Sequence, residues 1–151
     1  MSRISKDQYY LNIAEQVAAR STCIRRKYGA VIVNQDEVVS TGYNGAPRGE
    51  VNCIDLGACK REEMCIPKGE RYELCRSVHA EMNAIISASR KDMVGATIYI
   101  TGLETEGADK KKFANPAPCT ICRRLIVNAG IVRCIGMVDG KPQEISLTPQ
   151  E

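Results

Sequence analysis

The stretch Cys75-Arg76-Ser77-Val78-His79-Ala80-Glu81-Met82-Asn83-Ala84-Ile85-Ile86 contains the only histidine of the 151-residue chain. Glu81 stands two residues after His79, and an apolar pattern with helical spacing follows it. A second stretch, Pro118-Cys119-Thr120-Ile121-Cys122, supplies two cysteines just before another apolar helical pattern. The two stretches are therefore predicted to open two helices whose N-termini converge.

His79, Cys119 and Cys122 are the residue types that hold zinc in a tetrahedral site with one corner free for water. A helix start favours the thiolate form of a Cys-x-x-Cys pair, because the helix dipole lowers the thiol pKa. Glu81 is offset from the ligand direction, which suits a carboxylate that passes protons to and from a zinc-activated water. Alone, a Cys-x-x-Cys is also typical of a redox pair or a structural zinc site.

Around these two stretches the hydrophobic periodicity predicts a three-layer α/β/α sandwich with one mixed sheet. Residues 5 to 21 form a helix with Ser5 as N-cap, and 29 to 33 and 38 to 42 form a hairpin. A helix from about 78 to 90 places Val78, Met82, Ile85 and Ile86 on one face, and a strand runs from 95 to 101. In a helix from 119 to 129, one face is shared by Cys122, Leu125, Ile126 and Ala129. A strand covers 131 to 138, and a short strand covers 144 to 147. Both strand–helix–strand crossovers are expected to be parallel and right-handed.

Composition sets further limits. Residues 1–151 are predicted to be one domain, with 44% hydrophobic residues for its core. The net charge is +3 with acids and bases interleaved, which does not suggest binding to nucleic acid. No apolar run approaches a membrane span and the first residues are no signal peptide, so we expect a cytoplasmic protein. Eight cysteines in such a chain favour metal binding or catalysis over disulfides.

The order His-x-Glu, then Pro-Cys-x-x-Cys, matches the signature of zinc deaminases at His79, Glu81 and Pro118 to Cys122. From about Asp7 to Val138 the chain resembles the cytidine deaminase superfamily, and within it the deoxycytidylate (dCMP) deaminases. The resemblance is most specific in Val78-His79-Ala80-Glu81-Met82-Asn83-Ala84-Ile85 and in Thr41-Gly42-Tyr43-Asn44-Gly45, together with Ser21 to Arg25 and Gly29 to Val33.

The resemblance implies an enzyme, a hydrolase of cyclic amidine C–N bonds that deaminates dCMP to dUMP and ammonia with a zinc-bound hydroxide. Such an enzyme supplies dUMP for thymidylate synthesis, in a cell or, for a viral protein, in the host cytoplasm. By the same resemblance Glu81 shuttles protons, the Ala80 N–H holds the base carbonyl and Asn44 contacts the sugar hydroxyl. Arg25 matches a position expected to hold the 5′-phosphate, although a solvated basic turn beside Arg26 is the alternative.

Regulation and assembly are also implied by the resemblance. Many family members are homohexamers, activated by dCTP and inhibited by dTTP, and Gly42, Tyr43 and Gly45 match the loop near the regulatory nucleotide. Mg²⁺ would accompany that nucleotide. Tyr43 as a core or interface aromatic residue is the alternative that stays open.

The remaining cysteines suggest a second, structural zinc. Cys23 and Cys53 match positions that ligate one in some relatives, and Cys59 and Cys75 would complete the set. Such a site would hold the long irregular segment from 50 to 76, which otherwise lacks a core. Buried free thiols are the alternative.

Some features depart from the family. Ala117 stands where an aromatic residue often precedes Pro-Cys, residues 102 to 115 look inserted, and the C-terminus is short. The run Asp109-Lys110-Lys111-Lys112 is interpreted as a solvated loop, with a contact between Lys110 to Lys112 and a phosphate as the alternative. The function hypotheses left open are a zinc deaminase for another cytosine or adenine substrate and a zinc-stabilised binding module without catalysis.

Overall fold

One mixed five-stranded sheet carries the fold of the protein, in a computed structural model that describes residues 2–105 and 113–149. The strand order is β2-β1-β3-β4-β5, with β3 and β4 parallel and all other neighbours antiparallel. The strands are β1 (Arg26–Asn34), β2 (Glu37–Tyr43), β3 (Thr97–Glu104), β4 (Arg133–Val138) and β5 (Lys141–Ile145). The helices are α1 (Lys6–Ala18), α2 (Cys53–Leu56), α3 (Lys60–Glu63), α4 (Ala80–Ile86), α5 (Arg90–Met93) and α6 (Thr120–Asn128), with a 3₁₀ turn at Tyr72–Leu74.

The predicted hairpin is confirmed, and both of its strands are longer than predicted. Its two central residues, Gln35 and Asp36, have φ angles of 51° and 62°. Two successive positive φ angles are typical of the tight turn whose twist matches that of the paired strands. The turn therefore fixes the register of β1 and β2. This register in turn sets where the loop after β2 begins.

Helix α1 covers one face of the sheet. Its predicted cap is confirmed: Ser5 Oγ accepts a hydrogen bond from the Gln8 N–H at 3.1 Å. Gly29 lets β1 approach closely, since a Cβ there would lie 2.0 Å from the Ala14 carbonyl oxygen. The core of this face consists of Tyr10, Leu11, Ala14, Val31, Val33, Tyr99, Ile135 and Met137.

Helices α4 and α6 cover the other face, which completes the predicted three layers. The core there includes Ala30, Ile32, Ala80, Ala84, Ile98, Ile100, Ile126 and Cys134. The predicted apolar face of α4 is wrong in part, because Ile86 is 70% exposed while Ala80 and Ala84 are fully buried. Small residues face the sheet because α4 lies directly on β2: a Cβ on Gly42 would come within 2.4 Å of the Ala80 carbonyl oxygen.

The predicted helix from 78 to 90 is two helices in the structure. Helix α4 ends at Ile86, and Ser89 is the N-cap residue of the short α5, without a side-chain bond to the α5 backbone. The Ser89 hydroxyl donates to Asp92 at 2.7 Å, which stabilises this second start. Of the residues predicted to share a face of α6, Cys122, Ile126 and Ala129 are buried, whereas Leu125 is 39% exposed.

The chain direction brings the two helix starts to one edge of the sheet. Strand β2 is antiparallel to β1, and β1 is antiparallel to β3, so β2 and β3 point the same way. Helix α4 follows β2 and helix α6 follows β3. Their N-termini therefore meet beyond the carboxyl ends of these strands, where open α/β sheets place ligand sites.

The cysteine-rich segment, residues 46–77, connects β2 to α4. It contains α2, α3 and the 3₁₀ turn, and its base is closed by a pair of bonds between Gly45 and Val78, N–H to carbonyl oxygen at 3.1 and 2.7 Å. Cys65 and Arg71 have positive φ angles of 54° and 53°. The cysteine-rich segment thus leaves the sheet region at Gly45 and returns to it at Val78, next to the point where it left.

The predicted loop from 102 to 118 is shorter, because β3 continues to Glu104 and Phe113 forms a bridge with Leu103. The run Asp109 to Lys112 lies outside the described residues. Within 2–105 and 113–149 we find no helix with the length and apolar character of a membrane span.

Candidate active site

Three potential metal ligands meet where α4 and α6 begin. His79 is the N-cap residue of α4 and Cys119 is the N-cap residue of α6. His79 Nδ1 lies 3.3 Å from Cys122 Sγ and 3.7 Å from Cys119 Sγ. The three ligand atoms all lie within 4.8 Å of one another, so one ion can contact all of them.

The donor set fits zinc. One imidazole nitrogen and two cysteine sulfurs are common zinc ligands, and three protein ligands leave one tetrahedral corner open. His79 and Cys119 line the cleft, whereas Cys122 is fully buried behind them. The open corner would therefore face the cleft, where a substrate can reach it.

The two thiols have pKa values shifted in opposite directions. Hydrogen bonds from Cys122 and His79 lower the pKa of the Cys119 thiol to about 4. The neighbouring Cys119 sulfur, together with burial, raises the pKa of Cys122. A cation between the sulfurs would favour the thiolate form of both, because it compensates the second charge.

Glu81 places a carboxyl group beside this cluster. It lies in the first turn of α4 and is 6% exposed. Burial raises the pKa of Glu81, against the hydrogen bond from its own backbone N–H and the charge of His79. A carboxyl group with a raised pKa can both take up and return a proton near neutral pH.

Ala80 and Asn44 both lie in the cleft wall. Ala80 is the first residue of α4, and N–H groups of a first helical turn have no partner within the helix. Asn44 Oδ1 accepts from Ser21 Oγ at 2.6 Å and from the Tyr28 N–H at 2.8 Å. Its Nδ2 donates one hydrogen to the Arg26 carbonyl at 3.0 Å, which leaves the second amide hydrogen for a ligand.

Arg25, the candidate phosphate ligand, lines the same cleft. Its Nε lies 2.8 Å from Glu62 Oε1 in a salt bridge, and the Arg25 side chain is 23% exposed. Arg25 therefore lies in the cleft as predicted, but its guanidinium is paired with the Glu62 carboxylate of α3.

The candidate effector residues have packing roles outside the cleft lining. Gly42 and Gly45 allow close approach, because a Cβ on either would lie 2.4 Å from a neighbouring atom. Tyr43 is 37% exposed, and its carbonyl accepts from Asn83 Nδ2 at 2.8 Å. Their predicted contact with a regulatory nucleotide stays a prediction.

Three of the candidate cysteines of the second zinc site, Cys23, Cys59 and Cys75, lie near the fourth, Cys53, without converging on one point. Burial raises the pKa of the Cys53 thiol, and the neighbouring Cys23, Cys75 and Cys59 raise it further. Among the residues that the structure describes, only the His79 cluster brings three ligand atoms within 4.8 Å of one another. Cys53 is buried at 6% exposure, which agrees equally with the alternative of buried free thiols.

Further residues of the cleft were not singled out from the sequence. Tyr72 packs edge-on against His79, with ring centroids 5.4 Å apart, and Arg61 lies over the Tyr72 ring. Both come from the cysteine-rich segment, where no periodic pattern marks a buried face. Arg26, Tyr28 and Ser77 also line the cleft.

Comparisons with known proteins agree with this geometry. A family model described as "Cytidine and deoxycytidylate deaminase zinc-binding region" matches residues 4–138. A deoxycytidylate deaminase of Mycobacterium phage D29 is 39% identical over 140 residues, which cover 89% of this chain and 96% of that protein. One of Schizosaccharomyces pombe is 34% identical over 129 residues, and the match covers 85% of this chain but 36% of the yeast protein.

Solved structures show the same fold. A dCMP deaminase from the cyanophage S-TIM5, in complex with dCMP and dUMP, matches with a TM-score of 0.57 and 22% identity. The match covers 89% of this chain and 83% of the cyanophage protein.

Proposed function

The chain belongs to the cytidine and deoxycytidylate deaminase family, and from this premise we propose that it hydrolyses dCMP to dUMP and ammonia. The observation that carries the proposal is the buried Glu81 carboxyl beside the His79, Cys119 and Cys122 cluster in one cleft. Its support from relatives is the phage D29 deoxycytidylate deaminase, whose length this chain spans almost completely.

The chemistry divides between a metal and the side chains. Zinc held by His79, Cys119 and Cys122 would polarise a water molecule for attack on C4 of the cytosine. Glu81 would take a proton from that water and pass protons to N3 and to the amino group. The bond from C4 to the amino nitrogen breaks, ammonia leaves, and the water oxygen stays on C4 as the carbonyl of dUMP.

The remaining contacts orient the nucleotide. We assign the base carbonyl to the Ala80 N–H, because this group points from the start of α4 without a helical partner. The free Nδ2 hydrogen of Asn44 would donate to the sugar hydroxyl. Arg25 would exchange part of its contact with Glu62 for a contact with the 5′-phosphate, since a guanidinium can bond to both groups.

The test is ammonia release from dCMP, dCTP, cytidine and a tRNA substrate, measured in parallel with zinc-loaded protein. We expect release from dCMP to be fastest. Release from another substrate with none from dCMP would replace the substrate assignment. No release from any of them, with zinc bound, would favour a binding module without catalysis.

We also propose a second, structural zinc on Cys23, Cys53, Cys59 and Cys75. Their grouping around Cys53 supports it, and a metal would stabilise a segment whose helices have four residues each. Zinc analysis with thiol alkylation tests the site. Two zinc equivalents per chain with these four thiols protected would support it, and one equivalent with all four thiols alkylated would contradict it.

Regulation by dCTP as activator and dTTP as inhibitor, with Mg²⁺, and assembly into a homohexamer complete the proposal. Regulation by these nucleotides is supported by Gly42, Tyr43 and Gly45, which match the family's loop near the regulatory nucleotide. Exposed apolar side chains on α4 and α6 support the assembly: Ile86, Ile121, Leu125 and Val127. Deamination rates with and without each nucleotide and Mg²⁺, and the mass of the assembly from light scattering, test the two parts separately.

We place the activity of this single domain, residues 1–151, in the cytoplasm, or in the host cytoplasm if the chain is viral. All eight cysteines are free thiols in the structure, as suits a reducing compartment. There the product would supply dUMP for thymidylate synthesis. Immunolocalisation of the tagged protein would test the compartment.

A further inference from the structure

Arg61 is a buried cation in the wall of the cleft, and the proposed chemistry does not use it. Its residue exposure is 7%. Its guanidinium carbon lies 4.8 Å from the centroid of the Tyr72 ring, which in turn packs against His79. The Tyr72 ring therefore separates the Arg61 guanidinium from His79 of the metal cluster.

The three arginines of the cleft differ in their partners. Arg25 forms a salt bridge with Glu62, with 2.8 Å between Nε and Oε1, and Arg26 Nε donates to both oxygens of Glu104 at 3.1 and 3.2 Å. Within the part of the chain that the structure describes, no carboxylate lies within 4.0 Å of the Arg61 guanidinium. A buried charge without an opposite charge is costly, so an anionic ligand would find its counter-charge here.

Arg61 is also held in a fixed orientation. Its Nε and Nη2 donate to the Glu70 carbonyl at 3.1 and 2.7 Å, and Nη2 also reaches the Pro67 carbonyl at 3.3 Å. No described residue accepts a hydrogen bond from Nη1. This nitrogen is also absent from the fully buried side-chain atoms of the described residues that lack a hydrogen-bond partner, which are Ser77 Oγ and Thr101 Oγ1. Nη1 therefore keeps some accessible surface, and since Arg61 lines the cleft, its two N–H groups can donate to a ligand there.

A second group in the same wall is suited to the same ligand. Ser77 lines the cleft, and its hydroxyl oxygen is buried without a hydrogen-bond partner among the described residues. A desolvated hydroxyl without a partner costs free energy that a bound polar ligand would return. Guanidinium and hydroxyl donors together are typical of phosphate recognition.

We propose that Arg61 is a specificity-determining residue that holds the 5′-phosphate of the nucleotide through Nη1. The inference rests on the proposed function, because that function supplies a nucleotide with a terminal phosphate. Arg61 selects nucleotides over nucleosides, and Arg25 acts beside it. The cysteine-rich segment thereby contributes to substrate choice as well as to the cleft wall.

The experiment measures binding of dUMP and of deoxyuridine by calorimetry, with zinc-loaded wild-type protein, Arg61→Met and Lys60→Met. Lys60 is the exposed neighbour on α3, so its replacement removes the same charge without touching the cleft. We expect Arg61→Met to weaken dUMP binding about 10- to 100-fold, as for a lost charge-assisted hydrogen bond, while deoxyuridine binding stays within about twofold. Lys60→Met should change neither.

Unchanged dUMP affinity in Arg61→Met would overturn the inference, and so would an equal loss for dUMP and deoxyuridine, which is what a collapsed cleft wall produces. Arg61→Lys keeps the charge if the methionine variant does not fold. Its dUMP affinity should fall by less, again without a matching fall for deoxyuridine, and an equal fall for both would count against the inference. Wild-type protein that deaminates no dCMP counts against the proposed function, whereas an active wild type with a fully competent Arg61→Met counts only against Arg61.

Discussion

Two sets of cysteines in this chain have the same chemistry and very different support from the fold. Cys119 and Cys122 lie at the start of α6 on the sheet, and their sulfurs come within 3.7 Å of His79 Nδ1. Cys53 and its neighbours lie in and beside the cysteine-rich segment, where they are grouped without converging. A sheet with packed helices arranges metal ligands in advance, whereas short helices depend on the metal for their arrangement.

The largest expected effect separates the two sets by substitution. Cys122→Ser should lose the catalytic zinc and reduce deamination to background, because two ligands remain in the cluster. Cys53→Ser should keep the catalytic zinc and measurable activity, and it should lose only the second zinc. Zinc content by mass spectrometry and ammonia release measure both variants.

Circular dichroism provides the control, since both variants should keep the sheet and α6. If Cys53→Ser abolished catalytic zinc binding as completely as Cys122→Ser does, the two regions would not be independent.

The next effect concerns Glu81, the proposed proton carrier beside Cys119 and Cys122. Glu81→Gln should lower kcat by about 10²- to 10⁴-fold, the usual contribution of a general acid–base group. Zinc content should stay the same, because Glu81 lies beside the ligands. Glu37→Gln, at an exposed carboxylate of β2, is the matched control and should stay within about twofold of wild type. Loss of zinc in Glu81→Gln would show that its role is structural.

A smaller effect compares glycines from the two regions. Gly42→Ala should reduce the free energy of unfolding by about 1–3 kcal/mol, because the new methyl group overlaps α4 where that helix lies on β2. Gly57→Ala should cost about 1 kcal/mol, for a different reason: φ is 71° there, and open space surrounds the position.

Urea unfolding of the two glycine variants, followed by circular dichroism, measures both losses. Gly42→Ala should also weaken dUMP binding, since α4 carries His79 and Ala80. If both variants lost the same free energy of unfolding and Gly42→Ala still bound dUMP normally, the packing of α4 on β2 would tolerate an added methyl group as well as the cysteine-rich segment does.

The smallest effect is a difference in pH dependence between thiols. In metal-free protein the pKa of Cys119 is lowered to about 4, so its thiolate is already the main form at pH 6 and its alkylation rate should stay nearly constant from pH 6 to 8. The pKa of Cys53 is raised, so its thiolate fraction and alkylation rate should rise about tenfold per pH unit over the same range. Peptide mass spectrometry after timed alkylation measures both.

Zinc loading supplies the control for this comparison, because it should protect Cys119 at every pH. A Cys119 rate that rose tenfold per unit between pH 6 and 8 would contradict the lowered pKa.

The sequence predicted best what local patterns determine. The Ser5 cap, the hairpin, the start of α6 and the spatial convergence of His79, Cys119 and Cys122 are all confirmed. Each depends on neighbouring residues or on a short motif whose chemistry admits few alternatives.

The errors arise where packing between distant parts decides. The α4 prediction assumed that large apolar residues are buried, yet Ala84 faces the sheet and Ile86 faces outward. The reason is the close approach of α4 to Gly42, a residue far away in the sequence. Arg61 was missed for a related reason, since its burial depends on two carbonyl groups and a ring that follow it in an irregular segment.

The paired bonds between Gly45 and Val78 have a consequence for how such proteins diversify. They close the base of the segment, so the chain enters α4 from the same point whatever lies between these residues. Loop-closure entropy grows only slowly with loop length, which makes insertions and deletions there thermodynamically cheap. Related proteins can thus differ in this segment, and in the substrate selectivity that it contributes, while the metal cluster and Glu81 stay unchanged. Protein engineers can graft replacement loops between the same two residues.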